Sequence, residues 1–208
     1  MSNERIEQVL RELAGSHILH VGCVGQAEGK YHLHLELCSR LPSSQVLGLD
    51  VDHPGALELK RQGCRMLVAD AQRLPLKAAF DTIVAGELIE HLSNPGEFLE
   101  GCRRALRPRG RLVITTPNPF SLMYGLMYLK NYKSAFNHEH ALWLCPQTIE
   151  ALAQRCGFHV EKLTFVDDLT PEGATSRWYR AFAYVWQCLR WCVPQRFRNT
   201  ILAVLETQ

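Results

Sequence analysis

Residues 17–25 read HILHVGCVG, and a second apolar run, VLGLD at 46–50, follows the helical stretch 27–41. A short β-branched and Leu-rich run that breaks on glycines and opens a helix is the first unit of a βαβ crossover. The same alternation continues outward from this pair. Strands are expected at 17–21, 45–50, 65–69, 80–85, 110–115, 158–166 and 200–205. Helices are expected at 3–14, 27–41, 54–62, 95–106 and 146–156. Tyr31, Leu33, Leu35 and Leu37 alternate like a strand, but a crossover is needed there and the segment reads as helix. Pro95 and Asn94 mark one helix start, Pro108 and Gly110 its end, and Gly157 the end of another. The expected fold is α/β: a doubly wound, Rossmann-like seven-stranded sheet, mostly parallel. Its last strand is short and follows a long excursion, so it returns antiparallel.

Length and composition bound this reading. The chain has 208 residues, 47% hydrophobic and 21% charged, which suits one globular domain over 1–208. Net charge is +2, so no general basic field points to nucleic acid. The eight cysteines are scattered, form no C-x-x-C, and several lie in apolar runs, as structural thiols in a reducing compartment do. The charged, amphipathic N-terminus MSNERIEQVLRELAG has no signal-peptide core, and no run of 18 apolar residues occurs. The expectation is a cytoplasmic protein.

In an open parallel sheet, ligands bind beyond the carboxyl ends of the strands. The residues there are therefore the candidates. After the first strand come Gly22, Cys23, Val24 and Gly25, where backbone N–H groups can approach a ligand. After the second comes Asp50, followed by Val51; a carboxylate there can accept both hydroxyls of a ribose. After the third come Asp70 and Ala71, placed for an adenine amino group, and after the fourth Glu87, Glu90 and His91. Each acid alone reads better as a solvated turn residue or helix cap; four strand ends together are harder to reach by chance.

With these motifs in place, the sequence resembles the class I S-adenosylmethionine-dependent methyltransferases, in their UbiE/UbiG-like small-molecule branch. VLGLDVD, VADAQRLPL, FDTIVAGELIEHL, LRPRGRLVITTPNP and PQTIEALAQRCGF carry the likeness over about 16–166 and the last strand. The resemblance implies S-adenosylmethionine as cofactor, with Gly22, Cys23 and Gly25 along its methionine part. It implies Asp50 on the ribose with Val51 beside it as a further cofactor contact, Asp70 and Ala71 on the adenine, and Glu87 bordering the site. The chain departs from the family at His20, which stands where an acid is usual and is carried over as a cofactor contact, and at Val24 and Gln26, which replace two glycines.

Methyl transfer from a sulfonium is an in-line displacement, and a hydroxyl acceptor must also lose a proton. Glu90, His91, His138 and His140 are candidates to take it, with Glu90, His91 and His140 assigned as catalytic. Glu87-x-x-Glu90-His91 is similar to clusters that bind a divalent metal in ubiquinone-pathway O-methyltransferases; capping or packing explains it as well, and no metal is assigned. The loop after strand four lacks the N/D-P-P-aromatic motif of amino-methylating enzymes.

Two insertions, 118–145 and 167–199, leave the same edge and are expected to form helical lids. They hold 13 of the 18 aromatic residues within 120–143 and 178–197. Phe120, Tyr124, Tyr128, Tyr132 and Phe136 recur every fourth residue, as one stripe of a helix does. The second insertion carries Arg177, Arg180, Arg190, Arg196 and Arg198 beside its aromatics. Such a lid suits a small-molecule, lipid-linked or glycan-linked acceptor, or peripheral membrane contact through 173–198, or pairing into a homodimer. A methyltransferase-like domain that binds a partner without catalysis is the alternative, motivated by the altered glycine motif.

Overall fold

The computed structural model describes residues 4–25, 32–130, 138–167, 184–186, 188 and 190–207. In chain order the elements are α1 (Glu4–Arg11), β1 (Ile18–Val21), α2 (Leu33–Arg40), β2 (Val46–Asp50), α3 (His53–Arg61) and β3 (Met66–Val68). They continue with β4 (Phe80–Gly86), α4 (Pro95–Ala105), β5 (Leu106–Pro117), α5 (Leu122–Lys130), α6 (Pro146–Arg155), β6 (Phe158–Val166) and β7 (Thr200–Thr207). One sheet takes the order β3-β2-β1-β4-β5-β7-β6. β1 to β5 pair in parallel, whereas β7 runs antiparallel to both β5 and β6. The expected doubly wound α/β sheet with an antiparallel last strand is therefore the one present.

Period-two alternation builds the two faces. Ile83, Ala85, Leu112, Ile114, Ile201, Ala203 and Leu205 point into a core closed by Phe98, Leu99 and Cys102 of α4 and Ile149 and Ala153 of α6. Val84, Val113, Leu202 and Val204 point the other way, onto Ile6 and Val9 of α1 and Leu33 and Leu37 of α2. Both faces are covered, which is why these strands read as continuous apolar runs. The segment 33–40 is helical, as expected against its strand-like alternation; residues 26–31 lie outside the described set.

Two local expectations change. The end of α4 is not set by Pro108 and Gly110, because β5 begins directly at Leu106. Leu106 pairs with Phe80 and Arg111 with Thr82, so 107–110 bulge out of the ladder, with Arg109 at φ 62°. Asn94 sits at the start of α4 without a side-chain cap bond; instead its backbone N–H donates to Gln72 Oε1 at 2.7 Å. Gly157 closes α6 at φ 77°, as expected.

The described parts of the two insertions meet. Met123 of α5 and Trp186 are buried against each other, with Tyr124, Met127 and Val193 around them. The aromatic stripe is not one buried face: Phe120 and Tyr128 are exposed, Tyr124 is half-buried, and Tyr132 and Phe136 lie outside the described residues. Arg190 and Arg198 pair with Glu4 of α1 at 2.8 and 2.9 Å, so they hold the second insertion to the domain. Arg177 and Arg180 lie outside the described residues, and Arg196 stacks over Phe197. No helix among the described residues is long and apolar enough to cross a membrane.

Candidate functional site

The ledge for a cofactor is built where β1 and β2 end. Gly22 adopts φ 71° and donates its N–H to Leu49 O at 2.8 Å, folding the turn back over β2. A Cβ on Gly22 would lie 2.8 Å from Leu88 Cδ1 and would sit on a left-handed backbone, so glycine suits the packing of this turn against the loop after β4. Gly25, at φ 54°, faces open space. Asp50 ties the ledge together: one carboxylate oxygen accepts the Val24 N–H at 2.8 Å and the other the Asp52 N–H at 2.9 Å. Each oxygen keeps a second lone pair, enough to accept a diol. Val51 beside it is 73% exposed, an apolar side chain left uncovered at the same edge. Asp70 starts the 3-10 turn Ala71–Arg73 and accepts the Gln72 N–H at 2.8 Å, which fixes its direction; Ala71 is buried beneath.

Two carried-over cofactor residues turn inward instead. His20 is 3% exposed, and its Nδ1 lies 3.3 Å from Nδ1 of His34 on α2. Burial, followed by the neighbouring imidazole of His34, holds His20 well below the usual histidine range. It is a neutral core residue between β1 and α2 and not a substitute for the missing acid. Cys23 is also buried, with its Sγ 3.9 Å from Met66 Sδ, so only its backbone is left for the ledge.

The second half of the site is the loop after β4. Glu87 carries on the β4–β5 ladder by donating its N–H to Thr115 O at 2.9 Å. Its φ of 52° is left-handed, which costs a non-glycine residue about 1–2 kcal/mol. Arg5 Nη1 lies 3.8 Å from its carboxylate. The 3-10 turn Ile89–His91 then carries Glu90 and His91. Glu90 is 1% exposed; Oε2 accepts from Thr116 Oγ1 at 3.0 Å, and Oε1 has no hydrogen-bond partner. Burial, reinforced by the Glu87 carboxylate, pushes the Glu90 carboxyl up to about 8.

The chain closes on this turn from a distance. The backbone N–H groups of Ala141 and Leu142 donate to Glu90 O at 2.8 and 3.2 Å. His91 Nδ1 lies 3.1 Å from Glu139 O. These bonds bring His140 edge-on to His91, ring centroids 4.8 Å apart, and His140 Nδ1 is buried without a partner. Burial, then His91, lowers the pKa of His140. One donor atom each from Glu90, His91 and His140 falls within 4.8 Å of the others. The structure thus brings together the three residues assigned as catalytic. His138 is exposed and outside this cluster. Trp143 and Tyr124 join the site beyond the residues expected from the sequence: Trp143 packs on His140 at 5.8 Å and Tyr124 on Trp143 at 5.2 Å. Their signal was the aromatic density of the first insertion, which does reach the site.

A sheet edge with a carboxylate that has lone pairs to spare, a glycine turn and an adjacent carboxylate–imidazole cluster has the make-up of a cofactor-binding group-transfer site. The comparisons sharpen that class. Residues 19–114 match the family model described as a methyltransferase domain. A ubiquinone biosynthesis O-methyltransferase of Leptothrix cholodnii is 28% identical over 158 residues, covering 69% of this chain and 64% of that one. The Coxiella burnetii enzyme of the same name is 29% identical over 174 residues, covering 76% and 70%. The chain therefore spans about two thirds of the length of these relatives. An S-adenosylmethionine-dependent methyltransferase of Thermotoga maritima superposes with a TM-score of 0.70 at 17% identity, covering 98% of this chain and 87% of that one. Over 19–114, just under half of the chain, the sequence is thus similar to the methyltransferase domain family, and the fold of the chain is similar to that of solved S-adenosylmethionine-dependent methyltransferases.

Proposed function

We propose that this chain moves the methyl group of S-adenosylmethionine to a hydroxyl oxygen of a small or lipid-linked acceptor. The observation that carries the reading is the convergence of Glu90, His91 and His140 on the loop that packs against Gly22. The carboxylate and imidazoles thereby flank the turn expected to hold the methionine end of the cofactor. The O-methyltransferase names of the relatives support an oxygen acceptor. Nothing in the comparisons supports the catalytically silent alternative.

The cofactor brings an activated methyl group, so the chain's work is alignment and proton removal. Asp50 anchors the ribose, and the Gly22–Gly25 turn, its Gly22, Cys23 and Val24 amides bonded within the ledge, offers the open backbone at Gly25 to the methionine tail. The acceptor O–H gives its proton to the free Nδ1 of His140, whose direction Trp143 and His91 fix. The oxygen lone pair then forms the O–CH3 bond as the S–CH3 pair returns to sulfur. The products are a methyl ether, neutral S-adenosylhomocysteine and a proton on imidazole, which passes to solvent. Exposed Leu126, Tyr128 and Leu129 on α5, with Tyr184, Val185 and Trp191, supply apolar surface suited to the tail of a lipid-linked acceptor.

A second reading has its own observation. Glu90 Oε1 and His140 Nδ1 are buried polar atoms without partners, beside His91. Such a set of two imidazoles and a carboxylate fits a divalent cation. When bound there, the ion would lower the pKa of the acceptor hydroxyl.

Both readings are tested with methyl-labelled cofactor and a panel of phenolic, glycan and lipid-linked hydroxyl acceptors. The label is expected as an ether, and Glu90→Gln and His140→Ala should lose about 10²–10⁴-fold in kcat. Their affinity for S-adenosylhomocysteine should stay within twofold. Label on nitrogen or sulfur, or full activity in both variants, overturns the proposal. Loss of activity in EDTA with recovery on adding Mg²⁺ or Zn²⁺ selects the cation reading; activity that survives EDTA rejects it.

A further inference from the structure

A second cluster of metal-binding side chains lies away from the β4 loop, and the transfer reaction does not use it. His34 and Cys38 occupy i and i+4 on α2, hence one helix face, and Cys64 follows the end of α3. One donor atom from each falls within 4.8 Å of the others. Cys38 Sγ is 3.7 Å from His34 Nε2. A tetrahedral ion with bonds of ~2.3 Å to sulfur and ~2.0 Å to nitrogen sets that edge at ~3.6 Å. His34 and Cys64 are buried and Cys38 is half-buried.

The surroundings are those of a metal site with its outer support already in place. His34 Nδ1 lies 3.3 Å from His20 Nδ1. With the proton on His34 Nδ1 donated to His20, the Nε2 lone pair of His34 is turned toward the two thiols. Gly48 lets three side chains pack close to the backbone: a Cβ there would lie 2.5 Å from Met66 Sδ, 2.8 Å from Cys23 Sγ and 2.8 Å from His34 Cε1. Two further sulfurs thus border the cluster. The thiols are free, with no disulfide among them.

We propose that His34, Cys38 and Cys64 bind a soft d¹⁰ cation, Zn²⁺ or Cu⁺, as a structural site that ties α2 and α3 together beneath the cofactor ledge. Two thiolates and an imidazole select such ions over Mg²⁺ or Ca²⁺. Binding releases the thiol protons, two for each ion bound, with no change of oxidation state. The consequence is mechanical: Cys23, in the glycine turn, and Gly48, two residues before Asp50, border the same space. An ion held by these three residues therefore stiffens the ledge from below.

The test uses the full-length reduced protein and Co²⁺ as a spectroscopic stand-in. One equivalent should produce a thiolate-to-cobalt charge-transfer band in the near ultraviolet. One equivalent of Zn²⁺, or of chelator-buffered Cu⁺, should abolish it, and the one that does so at lower free concentration identifies the resident ion. Glu90, His91 and His140 contain no sulfur and cannot give this band, so Glu90→Gln should leave it intact. Cys38→Ser and Cys64→Ser should each lose it, with far-ultraviolet circular dichroism confirming that the variants fold. Zinc at 100 times its dissociation constant should raise the unfolding midpoint of the wild type by about 5 °C and leave the serine variants unmoved. No band in the wild type, a band that persists in Cys64→Ser, or displacement by Mg²⁺ overturns the proposal. Failure of methyl transfer leaves these readouts untouched.

Discussion

Replacing Asp50 by Asn isolates the residue that joins the ledge to its ligand. In the wild type its two oxygens accept the Val24 and Asp52 amides at 2.8 and 2.9 Å. Asparagine keeps one acceptor and presents an NH2 to the other amide, donor against donor. Val24 is buried and cannot turn its N–H to water, so the variant should lose about 1–2 kcal/mol of stability. For a chain of this length that is a fall of about 3–6 °C in Tm. The ligand effect is larger and separable. If the carboxylate also accepts the ribose hydroxyls, the variant gives up one charge-assisted bond of about 1.5–3 kcal/mol. The Kd for S-adenosylhomocysteine should then rise about 10- to 150-fold. Isothermal titration well below both midpoints measures this without interference from the stability loss. An Asp50→Asn protein that is less stable yet binds S-adenosylhomocysteine with wild-type affinity would refute the reasoning, because Asp50 would then be a turn residue only.

Further outcomes follow from other positions. Gly22→Ala combines φ 71° with a Cβ 2.8 Å from Leu88 Cδ1, and should cost about 2 kcal/mol or more by urea unfolding. Gly25→Ala meets no atom within 4 Å and should cost about 1–2 kcal/mol, from its φ of 54° alone. At Asp81 partial burial opposes the charge, but the Ser16 amide, Arg107 and the His17 amide outweigh it and hold the carboxyl at about 2. Because this folded-state value lies below the unfolded one, the stabilisation is complete above pH 4 and fades as pH falls toward 2. Discounted for its partial exposure, it is about 1–2 kcal/mol. Asp81→Asn should lose that much at pH 7 and match the wild type near pH 2, as read from denaturant titrations at both pH values.

The strands were legible because the sheet is covered on both faces. Ile18, Leu19 and Val21 are all about 1% exposed or less. The bulge at 107–110 was not legible, because it exists only relative to the register of β4. His20 shows the same limit. Its position within the apolar run of β1 is plain from the sequence, but only the packing of α2 puts His34 against it. At the site, Glu90 and His91 were placed by their position after β4. Their meeting with His140 depends on backbone bonds from 141–142 to Glu90, across 51 residues of chain. Spacing alone could suggest that contact but not its geometry, nor that Glu90 is buried with one oxygen unpartnered.

The most direct test of the central claim is an experimental structure of the full chain with S-adenosylhomocysteine bound. The account predicts both ribose hydroxyls on the Asp50 carboxylate, the adenine edge at Asp70 and Ala71, and the sulfur turned toward Glu90 and His140. A ligand that leaves Asp50 untouched, or a sulfur facing away from the Glu90–His91–His140 cluster, would contradict it.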